Sequence, residues 1–70
     1  MANELTERVK TVIHAINSSA NFKYNDKKYI VTGYQITRDN CKLHLSVRLT
    51  DTTAKSSWLW IDERVYFMEV

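Results

Sequence analysis

From residue 41 to residue 50 the chain reads Cys-Lys-Leu-His-Leu-Ser-Val-Arg-Leu-Thr, apolar at every odd position and polar at every even one. Alternation at period two describes a strand with one dry and one wet face. Cys41, Leu43, Leu45, Val47 and Leu49 are therefore predicted to face a core, and Lys42, His44, Ser46 and Arg48 to face water. Upstream the period changes. Leu5, Val9, Val12, Ile13 and Ile16 recur at helical spacing and predict an amphipathic helix over about 4–17, its stripe buried on the sheet. Asn3 is available as its N-cap, Glu4 and Glu7 suit the positive end of the helix dipole, and Asn17-Ser18-Ser19 stops it. On the helical wheel His14 falls opposite Leu5, with Lys10 and Thr11, and is expected in solvent.

After the helix, apolar or aromatic stretches at 22–24, 29–37, 41–50, 57–61 and 65–70 are separated by Asn25-Asp26, Asp39-Asn40 and Asp51-Thr52-Thr53. Asn, Asp and Thr form turns by bonding their own backbone, so the pattern predicts a four- to five-stranded antiparallel meander within 22–70. Gly33, the only glycine, lies inside the second stretch and marks a bulge that shifts the face register between Val31 and Tyr34. The fold class is α+β in one domain, 1–70. The sheet either curls into an SH3-like small barrel with the helix on an end or flank, or stays an open layer with a wet outer face. That likeness to small barrels is one of strand count and spacing.

Seventy residues bury only about 60% of the surface their unfolded chain exposes, which leaves little room for an enclosed reaction chamber. With 44% hydrophobic and 26% charged residues the chain is globular, folding alone or as a small oligomer such as a homodimer. One cysteine makes no internal disulfide, and in the apolar register of its strand Cys41 reads as a small hydrophobe in a reducing, cytoplasmic setting. The start Met-Ala-Asn-Glu carries acid where a secretory signal carries base, and no apolar run approaches the roughly 20 residues a bilayer requires. Neither export nor a membrane partner is expected. A net charge of +2 permits nucleic acid without pointing to it.

Candidate chemistry is sparse. Cys41 and His44 differ in parity on one strand and His14 lies on the outer side of the helix, so no zinc site is expected, and no other cofactor. Serines are plentiful, but none can be paired with a histidine and a carboxylate, and one glycine makes neither a nucleophile elbow nor a phosphate loop. Asp62-Glu63 reads as a solvated turn rather than an acid/base pair. An enzyme is not expected, and no catalytic residue is assigned.

The segment Trp58-Leu59-Trp60-Ile61 is apolar on both faces, so the hairpin register decides which pair enters the core. With Arg48 opposite Trp58 and Ser46 opposite Trp60, Leu59 and Ile61 join Val47 and Leu45 inside. Trp58 and Trp60 then share the wet face with Lys42, His44 and Arg48. A one-residue slip reverses this and puts the tryptophans in the core, where such bulky side chains often belong. The outward register is favoured because it matches aliphatic residues across the strands.

Outward tryptophans beside Arg and His suit a protein-binding surface, since aromatic and Arg side chains dominate desolvated interfaces. The expected function is a small cytosolic binding or regulatory protein that docks on a macromolecular partner through Trp58, Trp60, Arg48, Lys42 and His44. A single-domain reading frame of this length also fits an accessory regulator or a phage-type inhibitor of a host enzyme. The alternative is a nucleic-acid-binding small barrel that stacks bases on the aromatic and basic face. Against it, Asp26, Asp39, Asp51, Asp62 and Glu63 interrupt the basic residues, and the only adjacent basic pair, Lys27-Lys28, reads as protection of an exposed edge.

Overall fold

The computed structural model describes residues 4–69. The order is helix α1 (Glu4–Asn17), strands β1 (Asn21–Tyr24), β2 (Lys27–Asp39), β3 (Lys42–Asp51) and β4 (Trp58–Asp62), and helix α2 (Glu63–Glu69). Asn3, the expected N-cap, and Val70, the end of the fifth apolar stretch, lie outside the described residues. The four strands form one antiparallel sheet in sequence order, curled into a half-barrel with β1 and β4 at opposite edges. The α+β meander is as expected, whereas the sheet stops short of a closed barrel.

Helix α1 ends through a chain reversal with defined bonds. Ser19 has a positive φ of 52°; its N–H donates to Ile16 O at 3.2 Å and the Ala20 N–H donates to Ala15 O at 2.9 Å. This is the Schellman pattern, with serine where glycine is commonest. The buried face of α1 is centred on Val12, with Ala15 beside it. Ile13, expected on the sheet, is 37% exposed, because a residue one position on is rotated by about 100° to the rim of the stripe. Ala15, too small to register in the apolar pattern, takes the place assigned to it.

Two hairpins turn on residue pairs with positive φ: Asn25-Asp26 (51° and 63°) and Asn40-Cys41 (51° and 64°). Positive φ at both central positions matches the right-handed twist of the flanking strands. The second turn lies one residue later than expected. Cys41 is therefore an exposed turn residue and not a core-facing one. The bulge at Gly33 is present: Val31 pairs with Leu49 and Gly33 with Arg48, so Thr32 is the extra residue. It brings Tyr29 and Val31 before it, and Tyr34 and Ile36 after it, onto the same face of β2.

That face carries the core. Leu45, Val47 and Leu49 are fully buried, with Val31, Phe22, Tyr29, Ile61, Val12, Ala15 and Tyr66 around them. Leu43 keeps the core-facing parity but is half exposed, because the β2–β3 ribbon runs on past β1 and β4, which pair only with residues 27–30 and 46–50.

The fifth stretch, expected as a strand over 65–70, is instead the helix α2. Asp62 caps it, its Oδ1 accepting the Arg64 N–H at 2.8 Å, and Glu63 sits in the first turn where the dipole favours acid. One turn of helix lets Tyr66 swing back over the sheet and stack on Phe22, ring centroids 5.1 Å apart. Arg8 Nε donates to Glu63 Oε1, an ion pair that joins the two helices. Burial pushes the Tyr66 hydroxyl above its ordinary pKa.

Candidate functional site

The outer face of the sheet, away from the helices, holds the candidate site. In the β3–β4 ladder Val47 pairs with Ile61, Arg48 with Trp60, Leu49 with Leu59 and Thr50 with Trp58. The register differs from the expected one by two residues, since Trp58 stands opposite Thr50 and not Arg48. The reason is the connection: the Asp51 N–H donates to Ser57 O at 2.9 Å, and Asp51 Oδ1 accepts the Thr53 N–H and hydroxyl, each at 2.8 Å. These bonds hold the Asp51 carboxyl below the usual range, the Thr53 backbone contributing most. A displacement of two residues preserves parity, so Leu59 and Ile61 face inward and both tryptophans outward.

Trp58 and Trp60 are 53% and 40% exposed and meet edge to face, centroids 6.2 Å apart. Arg48 lies diagonal to Trp58 with Cζ 5.9 Å from the ring centroid, within cation–π range. Its guanidinium is held from behind. Nε donates to Thr32 Oγ1 at 3.1 Å and Nη2 to Thr32 O at 3.2 Å, while the Thr32 and Thr50 hydroxyls are 2.8 Å apart. Gly33 provides the room: a Cβ there would lie 3.3 Å from Arg48 Nε and 3.4 Å from Cζ. The result is a two-indole platform with one edge set by a fixed cation.

The other two expected residues are on the same face but farther along the ribbon. His44 is half-buried and opposite Thr37; Lys42 is exposed and opposite Asp39 beside the turn. Asp62, two positions from Trp60 and therefore on its face, pairs with Ser46. Its carboxyl is held below the usual range, chiefly by the Arg64 backbone N–H, with Arg64 and His44 as lesser charges. Basic and acidic groups thus alternate along the ribbon. Trp58, Trp60 and Arg48 form one cluster, and Lys42 lies outside it.

Thr32, Gly33 and Thr50 complete the cluster and were not among the expected site residues. Gly33 was legible as a bulge, but which side chain fills the space it leaves depends on the cross-strand register. Among the described residues no group of three or more His, Cys, Asp or Glu could hold a metal ion, and no helix is long and apolar enough to cross a membrane. Compared with known proteins, the chain matches no family model, no curated protein and no solved structure.

Proposed function

We propose that the protein is a binding module that docks a macromolecular partner, most naturally another protein, on the outer sheet face at Trp58, Trp60 and Arg48. A single observation carries this reading. Two large indoles stand half exposed on the β3–β4 strand pair, beside a guanidinium hydrogen-bonded to Thr32. Aromatic and Arg side chains are the anchors of protein interfaces, and pre-ordered anchors lose little conformational freedom on binding. The alternation of Lys42 with Asp39 and of His44 with Asp62 favours a protein over a nucleic acid strand, whose phosphates require an unbroken basic track. On this reading its role would be that of a cytosolic regulator or inhibitor of the partner it docks on.

The test is affinity capture with the wild-type chain and the Trp58→Ser/Trp60→Ser variant. A partner retained by the wild type and lost from the folded variant supports the reading. Binding of labelled single-stranded oligonucleotides at low salt, weakening steeply as salt rises, would replace it with the nucleic-acid alternative.

A further inference from the structure

Strand β2 has thirteen residues, but β1 pairs only with Lys27, Lys28, Tyr29 and Ile30. The Val31 N–H is taken by Ala20 O at 3.1 Å. Beyond it, no described strand pairs with the outer edge of β2 through residues 33–39. Edges of this length are usually blunted by Lys, Pro or a covering loop. Here the edge reads Gly-Tyr-Gln-Ile-Thr-Arg-Asp: its two charges, Arg38 and Asp39, stand at the end beside the turn, and residues 33–37 carry no charge and no Pro, with Tyr34 and Ile36 exposed on the core side of the sheet. Leu43 adjoins them from β3, opposite Arg38.

The geometry points to a second copy of this chain as the occupant: two β2 strands pair antiparallel across a twofold axis at Ile36 and join the two half-barrels into one eight-stranded sheet. One observation favours a copy of the chain over another partner, and a second shows that the chain has area for such a partner to cover. First, the segment is complementary to itself. Centred on Ile36, the antiparallel register sets Ile36 against Ile36 of the other copy, Gln35 against Thr37, and Tyr34 against Arg38, an aromatic ring facing a cation at both ends of the seam. Second, the chain has surface to lose. Its accessible area of 5210 Å² exceeds by about 600 Å² the roughly 4,600 Å² of a compact monomer of 8.3 kDa. Its radius of gyration is 12.2 Å, against about 11 Å for a compact chain of 70 residues. The excess is of the order that one side of a standard interface covers, about 800 Å².

The twofold axis runs perpendicular to the joined sheet, so both copies turn the same face outward. Two Trp58/Trp60 platforms then stand on one surface, and a partner with repeated sites is held by both. The dimer does not depend on the docking role of that platform, since the seam uses none of its residues.

Sedimentation equilibrium tests the dimer directly, using wild type and Ile36→Lys, with thermal melts to verify folding of both. The wild type is expected to dimerise, and Ile36→Lys to raise the dissociation constant at least about tenfold. In a Cys41→Ser background a short bis-maleimide should link Ile36→Cys chains into dimers faster than Ser56→Cys chains, whose exposed thiols stand in the β3–β4 connection at the far edge of the sheet. A wild type that stays monomeric at its highest soluble concentration overturns the proposal. So does a dimer of unchanged affinity in folded Ile36→Lys, or equal cross-linking at both positions. Should Ile36→Lys fail to fold, the cross-linking comparison decides alone.

Discussion

Arg48 occupies the space that a side chain on Gly33 would need: a Cβ at Gly33 would sit 3.3 Å from the Arg48 Nε. The two residues face each other across the β2–β3 ladder, immediately beside the bulge. The bare Cα of Gly33 therefore serves the close approach of Arg48, and its backbone is not in the left-handed region. Gly33→Ala should be tolerated within about 1 kcal/mol, because the flexible Arg head can give by a few tenths of an ångström. Gly33→Val should push the guanidinium off Thr32 and away from Trp58. Tryptophan fluorescence reads this, with a changed emission maximum in the Val variant and an unchanged one in the Ala variant.

The tryptophans themselves should behave as surface groups. Iodide should quench their emission in the folded protein, and Trp58→Ser/Trp60→Ser should lower stability only modestly. A fully buried Trp would instead cost about 3 to 5 kcal/mol on truncation. Quenching compared before and after unfolding in urea checks it.

On α1, neighbours in sequence should differ sharply. Val12→Asp puts an unpaired carboxylate at a position with no exposure and should unfold the domain, since the cost is several kcal/mol against a total stability of about 5. Ile13→Asp, at the rim, should remain folded and melt cooperatively. Circular dichroism melts of the two variants check this contrast.

The end of α1 offers a stabilising change. Ser19 holds a left-handed backbone at φ 52°, which costs a residue with a Cβ about 1 kcal/mol. Ser19→Gly should recover part of this and raise the melting temperature by a few degrees, provided the capping bonds of Ser19 and Ala20 persist. Chemical denaturation at neutral pH measures the gain.

Acid should weaken the fold through two carboxylates. Asp51 and Asp62 are each held below their ordinary 3.8 by hydrogen bonds, led by the Thr53 and Arg64 backbone N–H groups respectively. A depressed folded value means their contribution is present above 3.8 and is lost as pH falls through the lower, folded values. Melting temperatures should drop over that window, and less so in Asp51→Asn/Asp62→Asn. At the alkaline end the sign is opposite. Tyr66 ionises above its ordinary 10.0 in the folded chain, so its contribution is present below that value and lost as pH rises through the folded one.

Periodicity alone placed α1 over its full span and set the inward parity of Leu45, Val47 and Leu49. It also set the outward parity of Trp58 and Trp60, because alternation is a local property of the chain. What parity does not carry is coverage. Leu43 and Ile36 have the same facing as Leu45 and remain exposed, since helix and neighbouring strands end before the ribbon does. The segment 65–70 misled for a related reason: Val, Tyr and Phe favour strands in isolation, and packing of Tyr66 on Phe22 overrides that preference. The acidic pair Asp62-Glu63, expected as a solvated turn, instead ends β4 and caps α2, because Asp62 Oδ1 accepts the Arg64 N–H. The Arg48–Thr32–Gly33 cluster was hidden because it is made by partners from two strands at the one point where their pairing skips a residue.

That skipped residue also divides β2 into two reading frames. Odd positions point to the core before Thr32 and even positions after it. Deleting Thr32 would leave both halves facing as they do, while removing the bulge, the anchor of Arg48 and the hydroxyl partner of Thr50. Deleting Gln35 instead would put the parity of Ile36 and the residues beyond it out of step with β3 and carry their apolar face to the opposite side. Single-residue deletions in this strand should therefore be survivable at the bulge and ruinous well away from it, which makes Thr32 the place where the strand can shorten without the protein turning inside out.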